Sequence, residues 1–107
     1  MSLQVKKINQ VDDFVTLFDQ YMVFYKQPSA PEKYRAYLSD RLNNNEATVF
    51  IAYDEDNTPL GFVLNYHSFS SVFLGKIIVL NDLFVTPENR QQGLANRLIN
   101  ASIALAK

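Results

Sequence analysis

The stretch that decides the fold runs from Lys76 to Leu98 and reads KIIVLNDLFVTPENRQQGLANRL. An apolar strand pattern ends at Val85, Pro87 lies in the turn that follows, and Gly93 opens an apolar helical pattern. The first N–H groups of a helix have no intrahelical acceptor, and with the helix dipole they favour a bound anion. The residues alone therefore indicate either a phosphate-binding turn or an ordinary helix start with a glycine in its turn.

The motif Arg90-x-x-Gly93-x-Ala95 follows directly after the strand end Leu83-Phe84-Val85. In that order the two resemble the acetyl-CoA signature Gln/Arg-x-x-Gly-x-Gly/Ala of the GNAT superfamily of N-acetyltransferases. Two further pairs, Gly61-Phe62 and Gly75-Lys76, resemble the branch of small-amine enzymes that includes the diamine acetyltransferases. The resemblance covers nearly the whole chain but only the larger first part of such a domain.

Composition narrows the class of protein. The chain has 107 residues, 48% of them hydrophobic, which is enough for one domain with a modest core. The net charge of −1, with no basic cluster, predicts neither a nucleic-acid nor a membrane partner. The chain contains no cysteine, so disulfides and zinc–sulfur sites are excluded, and we expect no metal. It shows no signal peptide or membrane-length apolar run, so we expect a soluble, cytoplasmic protein.

The rest of the chain supplies two helices and two more strands. After a short strand at 3–8, Asn9 is a candidate start for a helix whose apolar face continues to Tyr25. Ser29-x-x-Glu32 predicts a capping box for a second helix ending near Leu42. Strands are expected at 48–53, 60–69 and 73–85, then a helix at 93–107. We therefore expect a mixed α/β (α+β) domain of the GNAT type: a mostly antiparallel sheet flanked by helices, in the order strand, helix, helix, three strands, helix.

The strand at 73–85 is nearly continuous in apolar residues, which predicts a central strand covered on both faces. Asn81 and Asp82 interrupt it, and strand alternation predicts that they point to opposite faces. A carboxylate in such a strand must either be paired or open into a cleft. The sequence leaves these two alternatives open.

The resemblance implies transfer of an acetyl group from acetyl-CoA to a primary amine of a small molecule. It implies that the backbone at Leu83, Phe84 and Val85 holds the pantetheine and thioester, and that Arg90 adds charge at the turn. It also implies a pyrophosphate site formed by Gln91, Gln92, Gly93, Leu94, Ala95 and Asn96.

An alkyl amine with a pKa of about 10.4 is mostly protonated at neutral pH, so a base must remove its proton. The candidates are Asp82, Tyr66 and the lone His67, although a single strand histidine is more often structural. Asn81 stands where the diamine branch has a glutamate tied to the amine. By resemblance Phe24, Tyr25 and Tyr34 are expected to contact the substrate, and the alternative is that they are core aromatics.

The resemblance implies that such a domain continues with a fifth strand beside the fourth, so we expect residues 1–107 to be the N-terminal portion of a GNAT domain, before that strand. We expect either a fragment, which the open apolar strand edge favours, or a chain completed by another copy in a homodimer through that edge. The alternative functions are a non-catalytic acyl-CoA-binding module and an interaction protein that pairs by strand addition.

Overall fold

The computed structural model describes residues 3–90 and 93–107. The helices and strands follow one another in the predicted order, which confirms the expected fold class. They are β1 (Gln4–Lys7), α1 (Asp12–Phe24), α2 (Pro31–Asn43), β2 (Ala47–Tyr53), β3 (Pro59–Ser70), β4 (Gly75–Val85), a 3₁₀ turn (Pro87–Asn89) and α3 (Leu94–Ala106).

The four strands form one antiparallel sheet in the spatial order β1-β2-β3-β4. Helices cover both faces because consecutive strand residues point to opposite sides. Phe84 packs on the side of α1 and α2, whereas its neighbour Val85 packs on the side of α3. The end of β4 is thus held from both faces, which fixes the point where the chain leaves the sheet.

The face under α1 and α2 is rich in aromatic rings. Phe14 and Phe62 are fully buried with their ring centroids 5.0 Å apart, and Phe18 lies edge-on to Tyr34 at 5.4 Å. Such edge contacts add stability beyond the burial of apolar area. The predicted apolar face of the first helix is therefore the centre of the larger core.

The helix ends are capped differently from the prediction. Asn9 caps nothing, since α1 begins at Asp12 without a side-chain cap. Ser29 does not form a capping box either. Instead, Asp19 of α1 accepts hydrogen bonds from the Ser29 hydroxyl (2.7 Å) and the Ala30 N–H (2.8 Å). An acceptor from the neighbouring helix thus satisfies the start of α2, a partner that local sequence cannot reveal.

The strand β4 departs from the prediction in two respects. It begins at Gly75 because Leu74 takes a left-handed conformation (φ 56°) in the preceding turn. Within residues 3–90 and 93–107 it lies at the edge of the sheet, and only Phe84 and Val85 at its end are buried, so the prediction that the whole strand is central and covered on both faces is wrong for this part of the protein. Self-association through this edge stays a prediction.

Candidate active site

A cavity of about 470 Å³ opens where β4 ends and α3 begins, and we call it the helix-start cavity. Eight of the ten residues that the resemblance assigned to the cofactor line it, and Gln91 and Gln92 lie outside the described residues. Asn89 also lines it and was not predicted. Phe24, predicted to contact the substrate, lies here as well. The lining residues are Phe24, Tyr25, Leu83, Phe84, Val85, Asn89, Arg90, Gly93, Leu94, Ala95 and Asn96.

Gly93 adopts a left-handed conformation (φ 78°) immediately before α3, and a Cβ at this position would meet nothing within 4 Å. The first backbone hydrogen bond of the helix runs from the Arg97 N–H to the Gly93 carbonyl. The N–H groups of Leu94, Ala95 and Asn96 therefore have no acceptor within the helix. This is the donor arrangement to which an anion binds.

Arg90 contributes the positive charge of the helix-start cavity. Its guanidinium lies 4.9 Å from the ring centroid of Phe24 and 5.7 Å from that of Phe84. Its Nε donates to the carbonyl of Val85 at 2.9 Å. These contacts hold the planar group in one orientation, and among residues 3–90 and 93–107 they leave its two terminal nitrogens available for a phosphate.

A second cavity of about 510 Å³ lies between α1, α2 and β4. Five of the six tyrosines of the chain line it, so we call it the tyrosine cavity. Tyr25 lines both cavities, which makes them neighbours. The lining residues are Phe18, Tyr21, Met22, Tyr25, Gln27, Pro28, Lys33, Tyr34, Tyr37, Tyr66, Asn81 and Asp82.

Asn81 and Asp82 both line the tyrosine cavity, so the prediction that they point to opposite faces is wrong. The reason is a β-bulge: Leu64 pairs with Asp82 and Asn65 with Leu80, which leaves Asn81 as an extra residue in β4. The Asn81 side-chain amide donates to Asp82 Oδ2 at 2.9 Å. The bulge thus places a carboxylate and an amide side by side at the cavity wall.

The other carboxylate oxygen of Asp82 accepts a hydrogen bond from the hydroxyl of Tyr21. Burial, followed by this hydrogen bond, raises the pKa of Tyr21 well above its ordinary value, so the phenol stays protonated. Sequence reasoning missed Tyr21. By its spacing it belongs to the apolar face of α1, and its hydroxyl is the signal that it could also serve a site.

Tyr66 lies in the tyrosine cavity, where its hydroxyl is 2.9 Å from that of Tyr37. Burial, with smaller contributions from Tyr37 and the charge of Asp82, raises the pKa of Tyr66 well above its ordinary range. A phenol that holds its proton so firmly is suited to donate a hydrogen bond rather than to act as a base.

The remaining predicted residues are Tyr34, which forms part of the wall of the tyrosine cavity, and His67, which lies outside it. Tyr34 is buried and donates its hydroxyl to the carbonyl of Pro28 at 2.6 Å, so it is a fixed wall of the tyrosine cavity. His67 does not line that cavity, and its Nε2 lies 2.7 Å from the hydroxyl of Thr48.

Two features are absent from residues 3–90 and 93–107. No cluster of three or more His, Cys, Asp or Glu side chains is arranged to hold a metal ion. No helix in this part of the chain is long and apolar enough to cross a membrane.

Comparisons with known proteins agree with this geometry. The profile of the Acetyltransferase (GNAT) family matches residues 12–107. The uncharacterized N-acetyltransferase YhfO of Bacillus subtilis is 38% identical over 102 residues, which span 95% of this chain and 68% of that protein. A probable acetyltransferase of Haemophilus influenzae is 32% identical over 84% of this chain and 62% of its own length. A crystal structure of a probable acetyltransferase superposes with a TM-score of 0.85 at 34% identity, covering 98% of this chain and 70% of that one.

The chain therefore belongs to the GNAT family of acetyltransferases, whose members generally use acetyl-CoA. These relatives do not distinguish the diamine branch from other branches, so that assignment stays a prediction.

Proposed function

We propose that this protein transfers an acetyl group from acetyl-CoA to the primary amine of a small molecule. The observation that carries the proposal is the pair of neighbouring cavities that share Tyr25. One is suited to an anion, and the other presents a carboxylate among aromatic rings. A two-substrate transfer requires two such sites side by side.

The residues of the helix-start cavity fit the phosphate groups of CoA. The N–H groups at the start of α3 and the cation of Arg90 line the same space. The side chain absent from Gly93 leaves the backbone open to close approach. The outer edge of β4 has no strand partner within residues 3–90 and 93–107, so its backbone groups can bind the amides of a pantetheine chain.

The tyrosine cavity fits an amine. When bound, acetyl-CoA supplies its acetyl group as a thioester. Asp82 can accept a hydrogen bond from the ammonium form of the acceptor and receive its proton, which leaves a lone pair on nitrogen for attack. The nitrogen would then form the amide bond with the acetyl carbon as the C–S bond of the thioester breaks, and CoA would leave as a thiolate that takes up a proton. Tyr21 and Asn81 each donate to one oxygen of Asp82 and hold the carboxylate in place. Tyr66, as a neutral phenol, can donate a hydrogen bond within the same cavity.

The test combines binding and turnover. Calorimetric titration with acetyl-CoA measures the helix-start cavity, and release of free thiol from acetyl-CoA in the presence of a panel of primary amines measures transfer. We expect Asp82→Asn to lower transfer by about 10² to 10⁴-fold, the range for a general base, with CoA binding retained. Asp13→Asn is the matched control, because Asp13 also accepts a tyrosine hydroxyl (Tyr53, 2.9 Å) but lines neither cavity.

Two negative results would overturn different parts of the proposal. Binding of CoA without turnover of any amine would support a non-catalytic acyl-CoA-binding module and overturn the transfer reaction. Folded protein that binds no CoA would overturn the assignment of the helix-start cavity itself.

A further inference from the structure

Side chains of opposite charge line the tyrosine cavity, and the proposed reaction gives a role to only one of them. Within the described part of the chain, its charged lining residues are Asp82 on β4 and Lys33 on α2. Asp82 is assigned to the amine. Lys33 has no assigned role.

Lys33 differs from the other basic residues of α2. Arg35 pairs with Asp12, and Arg41 pairs with Glu46 at 2.9 Å. Among the residues that the structure describes, no carboxylate lies within ion-pair distance of Lys33, whose side chain is exposed at the cavity. An uncompensated cation at a cavity rim attracts an anionic group and repels a second cation.

Five tyrosines line the same cavity as the two charged side chains. Four of the five hydroxyls make hydrogen bonds within the protein: Tyr21 donates to Asp82, Tyr34 donates to Pro28, and Tyr37 and Tyr66 share one bond that uses one of their two protons. What they offer to a ligand is therefore mainly ring surface. Ring surface suits an alkyl chain, and the ring faces also favour an ammonium group.

We infer that the acceptor is a zwitterion, an amino-acid-like molecule whose primary amine meets Asp82 while its carboxylate lies near Lys33. This inference rests on the proposed acetyl transfer and specifies its substrate class. A diamine would bring its second ammonium group to Lys33 and would be disfavoured.

The experiment compares three ligands of matched length: 4-aminobutanoate, 4-aminobutanamide and 1,4-diaminobutane, whose far ends are anionic, neutral and cationic. Each is measured for kcat/KM by thiol release from acetyl-CoA, and for equilibrium binding by calorimetry in the presence of CoA. For the wild-type protein we expect 4-aminobutanoate to be preferred over the amide by about two- to fivefold, the upper part of the range for one solvent-accessible ion pair, and over the diamine by more.

Two variants test whether Lys33 causes the preference for 4-aminobutanoate. Lys33→Met should bring the carboxylate-to-amide ratio close to one, and Lys33→Glu should invert the order so that the diamine is preferred. Lys7→Glu is the matched control, since it makes the same charge change on β1, away from the tyrosine cavity. It should leave the order unchanged.

The outcomes distinguish this inference from the proposed function. If amines are acetylated but the three ligands perform equally, or if Lys33→Glu leaves their order unchanged, the zwitterion is overturned and the transfer reaction stands. If no amine is acetylated, the binding order still decides the inference: a preference for 4-aminobutanoate that is lost in Lys33→Met supports it, and the absence of such a preference overturns it.

Discussion

The hydroxyl of Tyr21 donates a hydrogen bond to Asp82, and this contact joins α1 to β4 across 61 positions of sequence. The ring of Tyr21 packs edge-on against Phe62 and Phe84, at 5.5 and 5.8 Å between centroids. The same side chain therefore belongs to the aromatic core and fixes the carboxylate at the cavity wall. The orientation of the proposed base depends on how the core packs.

Removing this hydroxyl tests the relationship directly. Tyr21→Phe keeps the ring but leaves one oxygen of Asp82 without its donor, so we expect unfolding free energy to fall by about 1 to 2 kcal/mol. We also expect kcat for amine acetylation to fall by at least tenfold, with the CoA affinity unchanged. Denaturant unfolding and thiol release measure the two effects.

Tyr53→Phe is the control for that variant, because it removes the equivalent hydrogen bond to Asp13 outside both cavities. It should lower stability to a similar degree without lowering kcat. Equal loss of kcat in both variants would mean that Tyr21 acts only through stability.

The left-handed conformation of Gly93 makes the helix-start cavity testable. Gly93→Ala imposes backbone strain of about 1 to 2 kcal/mol, while Gly93→Trp adds the same strain and also fills space that the glycine leaves open. We expect Gly93→Trp to lose at least tenfold more CoA affinity in calorimetry than Gly93→Ala, with similar losses of stability. Equal CoA affinity in the two variants would contradict the phosphate assignment.

Gly61 allows β3 and β4 to pair closely beside the helix-start cavity. A Cβ at this position would lie 2.6 Å from the carbonyl oxygen of Phe84, a backbone atom that cannot swing away. Gly61→Ala should therefore lower the unfolding free energy by about 1 to 3 kcal/mol in urea titration. Gly75→Ala is the control, since its nearest neighbour is 3.8 Å away, and it should change stability little. A neutral Gly61→Ala would show that the two strands can separate without penalty.

We expect the free energy of unfolding to fall at alkaline pH, and part of that fall to come from ionisation of Tyr53. Burial, then the hydrogen bond to Asp13, raises the pKa of Tyr53 to about 12 from its ordinary 10.0. The folded state thus holds this proton more tightly than the unfolded state, so the contribution to stability is complete below pH 10 and is lost as the pH rises through about 12.

In Tyr53→Phe the fall in unfolding free energy over that range should be shallower, as measured by urea unfolding at stepped pH with tyrosinate absorbance at 295 nm. Tyr25→Phe, at a side chain 58% exposed, should follow the wild-type curve. Identical slopes in the wild type and Tyr53→Phe would contradict the assignment of this proton to Tyr53.

Local patterns predicted much of the fold. The order of helices and strands can be predicted from hydrophobic periodicity, because the spacing of apolar residues within each helix or strand indicates which face is buried. The turn from Val85 to Gly93 and the small residues after it could likewise be read as an anion site, since those donors belong to neighbouring residues of one segment. Eight cofactor residues expected by resemblance do line one cavity.

The sequence by itself determined the class of domain and most of the helix-start cavity, because the hydrophobic periodicity is local and nine of the eleven lining residues lie between Leu83 and Asn96. Tertiary structure alone decided the tyrosine cavity. The bulge that turns Asn81 and Asp82 to one side exists only in the pairing of β4 with β3. The donation from Tyr21, and the cap that Asp19 supplies to α2, join elements that meet only when the chain packs. Long-range contacts of this kind leave no periodic trace, since their geometry is set by packing rather than by spacing along the chain.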